Sequence, residues 1–256
     1  MLLDELYEAI RAIPEAQALA LAGSRASGND DEYSDYDLYV YGDVIVDPAV
    51  REKVIRPLCS YAEIGNCYYE SEDNVILSDG TPVDIIYRCF DRFEAAVDRV
   101  AVRHLPLSGY STCFLHNIKT CGIIFDKTGR LTSLKERACK EYPPELKQAI
   151  IDRNMTLLSG SIPSFDRQIK KAWARRDLVS VNHRVTCFLQ CYFDVIFAVN
   201  ELTHPGEKRL VEICKRDCRI LPANFEENLQ RLFENMFTSD VSDIIGEMIA
   251  QLKKVV

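Results

Sequence analysis

The sequence predicts an α+β fold in two parts: a region of alternating helices and strands, then an all-helical bundle. Three observations lead there. Short apolar runs at Ala16–Ala22 and Tyr36–Tyr41 read as buried strands. Strand-like runs recur as far as Gly122–Asp126. Beyond Tyr142-Pro143-Pro144 they nearly vanish, and apolar residues follow helical spacing to the end of the chain. The boundaries expected are 1–140 for the first domain and 141–256 for the second.

Taken in order, Leu2–Ile13 is an amphipathic helix that leads into the first strand, and Tyr36–Tyr41 follows after a polar connection. Pro48–Ala62 reads as a helix disturbed by Pro57. Cys67–Glu70, Asn74–Leu77 and Pro82–Tyr87 read as further strands, with the turn signal Ser78-Asp79-Gly80-Thr81 between the last two. Phe90–Arg103 places Phe93, Ala96, Val97 and Val100 at helical spacing. Gly122–Asp126 looks like a last strand of the same sheet, and Leu131–Lys140 a closing helix. Helical patterns then occupy Glu145–Ser159, Ser164–Arg176, Val179–Glu201, Gly206–Lys215, Asn224–Phe237 and Val241–Lys253. Ser239 and Asp240 suit the N-cap of the last of these, and Pro205 suits a helix start.

The chemistry concentrates in Leu21–Gly42, LAGSRASGNDDEYSDYDLYVYG. Asp35 and Asp37 stand two apart, so on a strand their carboxylates share one face. Two such anions repel unless a cation joins them, and hard oxygen ligands at this spacing suit Mg²⁺. At Gly23-Ser24, glycine permits close backbone approach, and the Ser24 N–H and hydroxyl can donate to phosphate oxygens. A glycine capping a strand before an acidic solvated loop would look the same. Asp84 tips the balance: inside the β-branched run PVDIIY it is expensive to bury without a partner. If its strand lies beside that of Asp35 and Asp37, three carboxylates can hold two Mg²⁺ ions about 4 Å apart, the clamp for in-line phosphoryl displacement.

Gly23-Ser24, a ten-residue spacer, Asp35-Tyr36-Asp37-Leu38 and Val83-Asp84-Ile85 together resemble the nucleotidyltransferase pattern of the DNA polymerase beta superfamily. The chain is most similar to its bacterial aminoglycoside and lincosamide nucleotidyltransferase branch, and Ser27 and Gly28 fit the small residues that follow the Gly-Ser pair there. The resemblance implies a nucleotidyltransferase domain with a small mixed β-sheet flanked by helices, then a helical bundle that helps bind nucleotide and acceptor. It implies ATP or another nucleoside triphosphate as donor and two Mg²⁺ ions held by Asp35, Asp37 and Asp84. The triphosphate tail would lie over Gly23 and Ser24. Arg25 and Lys208 are further phosphate candidates, although either could be a structural or solvated cation. Asp84 could be a metal ligand, the general base for an acceptor hydroxyl, or both.

Composition narrows the alternatives. With 256 residues and 47% hydrophobic content, the chain can build one large core or two smaller ones. The acidic MLLDELYEAIRAI start lacks the basic region of a secretory signal. No apolar run approaches the roughly 20 residues needed to span a membrane. A cytoplasmic protein with no membrane partner is expected. A net charge of −8 argues against broad nucleic-acid binding, which depends on many basic contacts. The ten cysteines are scattered among apolar positions. His183/Cys187/Cys191 and Cys214/Cys218 each share a helix face, but no CxxC knuckle supports zinc, and buried thiols act as small hydrophobes. The basic run Arg167–Arg176 reads as a charged helix face around Trp173.

The leading function is transfer of an NMP, AMP from ATP foremost, to a hydroxyl of a small, antibiotic-like molecule with release of pyrophosphate. One alternative is nucleotidylation of a protein or RNA, as in minimal nucleotidyltransferases paired with helical toxins. Arg176 and His183 meet the loose R-x6-H spacing of HEPN ribonucleases, a pattern that arises easily by chance on a helix. The other is a non-catalytic nucleotide sensor, against which the complete acidic set argues. Neither the acceptor, the base of the nucleotide nor the oligomeric state is written in the sequence.

Overall fold

A computed structural model of the protein describes residues 2–28 and 34–256, with the side chain of Ser27 excepted. Part of the ten-residue spacer, residues 29–33, and the Ser27 side chain lie outside the described residues. The chain forms two compact units, Met1–Asp98 with Asn117–Lys140, and Arg99–His116 with Glu141–Val256.

The first unit is α+β. Its six strands are β1 (Ala18–Ala22), β2 (Tyr36–Gly42), β3 (Cys59–Asn66), β4 (Ser71–Leu77), β5 (Pro82–Cys89) and β6 (Gly122–Asp126), in the order β3-β4-β5-β2-β1-β6. The sheet is mixed: β2 and β5 run parallel, and every other neighbouring pair is antiparallel. Strand residues alternate between faces, so Leu38 and Val40 of β2 and Val83, Ile85 and Tyr87 of β5 point one way. They form a buried core with Leu3, Leu6 and Ile10 of α1 (Leu2–Arg11) and Ile55 of α3 (Pro48–Ile55). The opposite face carries Asp37, Tyr39 and Tyr41 on β2 and Asp84, Ile86 and Arg88 on β5. At its far end Tyr41 stacks on Phe90 of α4 (Phe90–Ala101), with ring centroids 5.4 Å apart. Arg88 lies 3.9 Å from the Tyr39 ring centroid and pairs with Glu70 at 2.7 Å.

Three segments differ in kind from the sequence expectation. The helix at 48–62 stops at Ile55, a 3₁₀ turn follows at Arg56–Leu58, and Cys59–Asn66 is a strand. Asp47 caps α3 through its side chain and Pro57 prevents continuation. Only Ala62 of β3 is buried, so this edge strand shows no apolar alternation to detect. The strand expected at Cys67–Glu70 is connecting chain; β4 instead begins at Ser71. Thirdly, Gly23–Ser27 is a short helix, α2, directly after β1. The helices α5 (Cys113–Thr120) and α6 (Arg130–Ala138) flank β6 in sequence.

The second unit is helical: α7 (Pro144–Leu158), α8 (Phe165–Ala174), α9 (Leu178–Val199), α10 (Leu210–Asp217), α11 (Phe225–Asn235) and α12 (Val241–Leu252). Residues Cys191–Val199 of α9 are buried on every side, which makes it the axis of the core. That stretch includes Asp194, whose carboxylate accepts from the Ser111 N–H at 3.0 Å, the Ser111 hydroxyl at 2.6 Å and Asn154 at 2.9 Å. These bonds tie the segment before α5 to the bundle. Cys191 and Cys214 are fully buried thiols, and all ten cysteines are free. Among the described residues, no helix is long and apolar enough to cross a membrane.

Candidate active site

The site is built where β2 and β5 begin. Their parallel register sets Asp37 directly beside Asp84, so the two carboxylates share a face on neighbouring strands. Across the antiparallel pair on the other side, Ala22 faces Asp37, and the next residue is Gly23. Gly23 has φ +63°, and a β carbon placed there would sit 1.7 Å from Asp37 Oδ2. The Asp37 carboxylate therefore rests against the Gly23 backbone, and only glycine fits both the conformation and the contact. Ser24 follows in α2. Asp35 stands one residue before β2, and its backbone carbonyl accepts from Arg25 Nε at 3.1 Å.

Arg25 serves this corner as a brace. Its guanidinium donates to the carbonyls of Ser34 and Asp35 and lies 4.2 Å from the Tyr36 ring centroid. A polar hollow of about 460 Å³ opens beside it, lined by Arg25, Ser34, Tyr36 and the turn at 79–82. Asp79 accepts from the Thr81 N–H at 3.1 Å and Gly80 adopts φ +90°, which fixes the hairpin that brings β5 alongside β4.

Residues absent from the sequence reading complete the arrangement. Asn74 of β4 is in register with Asp84 and donates to its Oδ1 at 2.8 Å. Asn66 of β3 in turn donates to Asn74 Oδ1. This ladder holds one oxygen of Asp84 and orients the carboxylate. Glu72, two residues before Asn74, is on the same face. Burial, then the charge of Asp84, hold its carboxyl above the usual carboxylate range, opposed by a hydrogen bond from Asn66. No motif marks either asparagine; the only sequence signal is a polar residue in a β-prone run, and its partner depends on register across a turn.

Among the described residues, no three His, Cys, Asp or Glu side chains form a ready-made metal cluster. Mg²⁺ does not require one, since it is usually held by one or two carboxylates with waters and substrate phosphates. The hard oxygens of Asp37 and Asp84, with Asp35 two residues before Asp37, fit that donor chemistry.

Other candidates belong to the second unit. Lys208 is exposed in the segment preceding α10. His183 is exposed on α9, whereas Arg176 stacks on Trp173 at 4.2 Å from a ring centroid. His204, which no sequence motif marks, is fully buried. Burial first, then His116, push its pKa down to about 3, so it is neutral.

Structurally the chain is similar to a nucleotidyltransferase-like protein from Exiguobacterium sibiricum, at 15% identity and TM-score 0.44, over 97% of this chain and 71% of that one. It is also similar to an aminoglycoside 6-adenyltransferase from Bacillus subtilis, at 9% identity and TM-score 0.31, over 98% and 89% of the two chains. No protein-family model matches the sequence, and no curated protein matches it.

Proposed function

We propose that the protein is a Mg²⁺-dependent nucleotidyltransferase that moves an NMP, AMP from ATP foremost, to a hydroxyl of a small-molecule acceptor and releases pyrophosphate. The observation that carries this reading is the parallel register of Asp37 with Asp84, with the Gly23 backbone against Asp37. Carboxylates side by side on a sheet face repel, and that repulsion favours a cation between them. Asp35, Asp37 and Asp84 are the proposed ligands. Mg²⁺ bound there would neutralise the triphosphate and acidify the acceptor hydroxyl.

The remaining roles fall to the chain itself. Gly23 lets the backbone approach the β- and γ-phosphates, and Ser24 donates to their oxygens. Arg25 holds the carbonyl side of Asp35 in place and adds positive potential at this corner. Asp84 Oδ1 is occupied by Asn74, so Oδ2 is the oxygen assigned to receive the acceptor proton or to hold the metal. Lys208 is assigned to phosphate from its sequence setting alone. The helical unit is the proposed place for acceptor recognition.

The test is a transfer assay with α-³²P-ATP, Mg²⁺ and three acceptor classes: hydroxylated antibiotics, tRNA and cell-lysate protein. Label on an antibiotic-like hydroxyl supports the reading. Label on tRNA or protein alone moves the acceptor to a macromolecule. No Mg²⁺-dependent labelling with any nucleoside triphosphate sinks the catalytic reading.

A further inference from the structure

A cleft of about 430 Å³ opens within the helical unit. Cavities of this size are those of small-molecule sites. Leu189 and Phe193 of α9, Leu229 and Phe233 of α11 and Leu210 of α10 make its walls apolar, and Tyr110 also lines it. Phe233 leaves 57% of its surface to water, a large apolar face without cover.

Tyr110 is held there against its own backbone preference. Its φ is 54°, in the left-handed region that a residue with a β carbon rarely enters. Buried neighbours impose it. Gly109 N–H donates to Asn154 at 3.1 Å, and Ser111 is fastened twice to Asp194. Gly109 itself presses on α9: a β carbon there would lie 2.6 Å from that of Gln190. The Tyr110 ring meets buried His204 edge-on, with centroids 4.9 Å apart. Arg209, also lining the cleft, has φ 54° as well. Strained backbone fixed by a buried polar network, presenting an aromatic ring to an apolar cleft, marks a built site.

The charges select the occupant. Glu207 and Glu212 line the cleft, and neither forms an ion pair among the described residues; Arg209 is engaged in an interaction of its own. Glu207 lies close enough to Tyr110 for its carboxylate to add to burial in raising the phenol pKa. We propose that this cleft binds a compact organic amine, with its ring or branched apolar body among Tyr110, Phe193 and Phe233 and its ammonium group at Glu207. The cation gains from the carboxylate and the aromatic faces together. An organic acid could turn only to Arg209, which is already engaged, and would meet Glu207 and Glu212 as like charges, while a polyol would leave hydroxyls unpartnered against Leu189 and Leu229. The site does not depend on the nucleotidyl-transfer reading.

The full chain, methyl-labelled, is titrated by NMR with 4-phenylbutylamine and separately with 4-phenylbutanoate. The amine is expected to shift the Leu189, Leu210 and Leu229 methyls saturably and to bind at least about fivefold more tightly than the acid. Glu207→Gln removes that preference, and Phe233→Ala weakens amine binding about tenfold. Both residues are exposed, so both variants should melt as the parent does. Absent saturable shifts, equal affinity for the two probes, a preference that survives Glu207→Gln, or unchanged amine affinity in Phe233→Ala each overturns the proposal. None of these readouts involves nucleotide, so failure here leaves the transfer reading standing.

Discussion

Gly23 is the residue on which the geometry of the candidate site turns. Gly23→Ala places a methyl group where Asp37 Oδ2 lies and imposes φ +63° on a residue that resists it. The expected outcome is a stability loss of about 1–3 kcal/mol in denaturant titrations, with transfer activity lost far beyond that. Two buried residues of the helical unit give a pH signature. Burial raises the Asp194 carboxyl to about 6, whereas His204 is lowered to about 3. For Asp194 the native state binds more protons between about 4 and 6, so its contribution falls as pH rises, by about 3 kcal/mol. For His204 the unfolded state binds more protons between about 3 and 6.5, so its contribution rises with pH. The opposing slopes mask each other in the parent. Asp194→Asn should therefore leave a stability that rises more steeply from pH 4 to 6 than the parent's, measured by urea unfolding at each pH. At this scale the closeness of Gly23, Asp37 and Asp84 was legible, because glycine and clustered acids stand out within apolar strand patterns. Asp194 and His204 were not, because nothing in a sequence shows that a segment near residue 110 will donate to α9.

At the scale of elements, the three-strand run β3-β4-β5 positions the third acid. The parallel neighbours β2 and β5 were readable from their apolar runs, and so was the turn between β4 and β5. The edge strand β3 was not: Pro57 looked like a flaw in one helix, and the strand beyond it buries only Ala62. The asparagine ladder therefore stayed hidden, since Asn66 sits on a strand the sequence did not announce. Asn74→Ala should weaken Mg²⁺ dependence and transfer by about 10–100-fold, because Asp84 Oδ1 loses its donor. Its unfolding free energy should fall by only about 1–3 kcal/mol, the cost of the two hydrogen bonds lost. On the opposite face, Arg51 and Asp73 form a buried pair at 3.0 Å, and Gly65 N–H donates to the same carboxylate oxygen. Burial outweighs these partners and holds Asp73 above the usual carboxylate range. Arg51→Met strands that carboxylate and should cost about 3–5 kcal/mol in unfolding free energy.

Across the whole molecule, the change from strand-rich to helix-rich sequence is real, and each unit has its own core. The chain does not divide at a single point, however. Arg99–His116 packs with the helical unit while the following Asn117–Lys140 returns to the sheet. Hydropathy cannot show this, because both parts of the excursion are ordinary amphipathic chain. A fragment starting at residue 141 leaves Asp194 without both Ser111 donors, each worth about 1.5–3 kcal/mol to a charged group. It should melt broadly, whereas a fragment from residue 99 keeps both donors and should hold its helical part to a higher and sharper calorimetric transition, even though its Asn117–Lys140 stretch has lost the sheet. The proposed hold of Asp37 and Asp84 on a metal–nucleotide complex can be tested without knowing the acceptor. Calorimetric titration with the non-hydrolysable analogue AMPCPP should show binding that requires Mg²⁺ and is lost in both Asp37→Asn and Asp84→Asn. Binding that is equally tight in EDTA, or unchanged in the two variants, would contradict it.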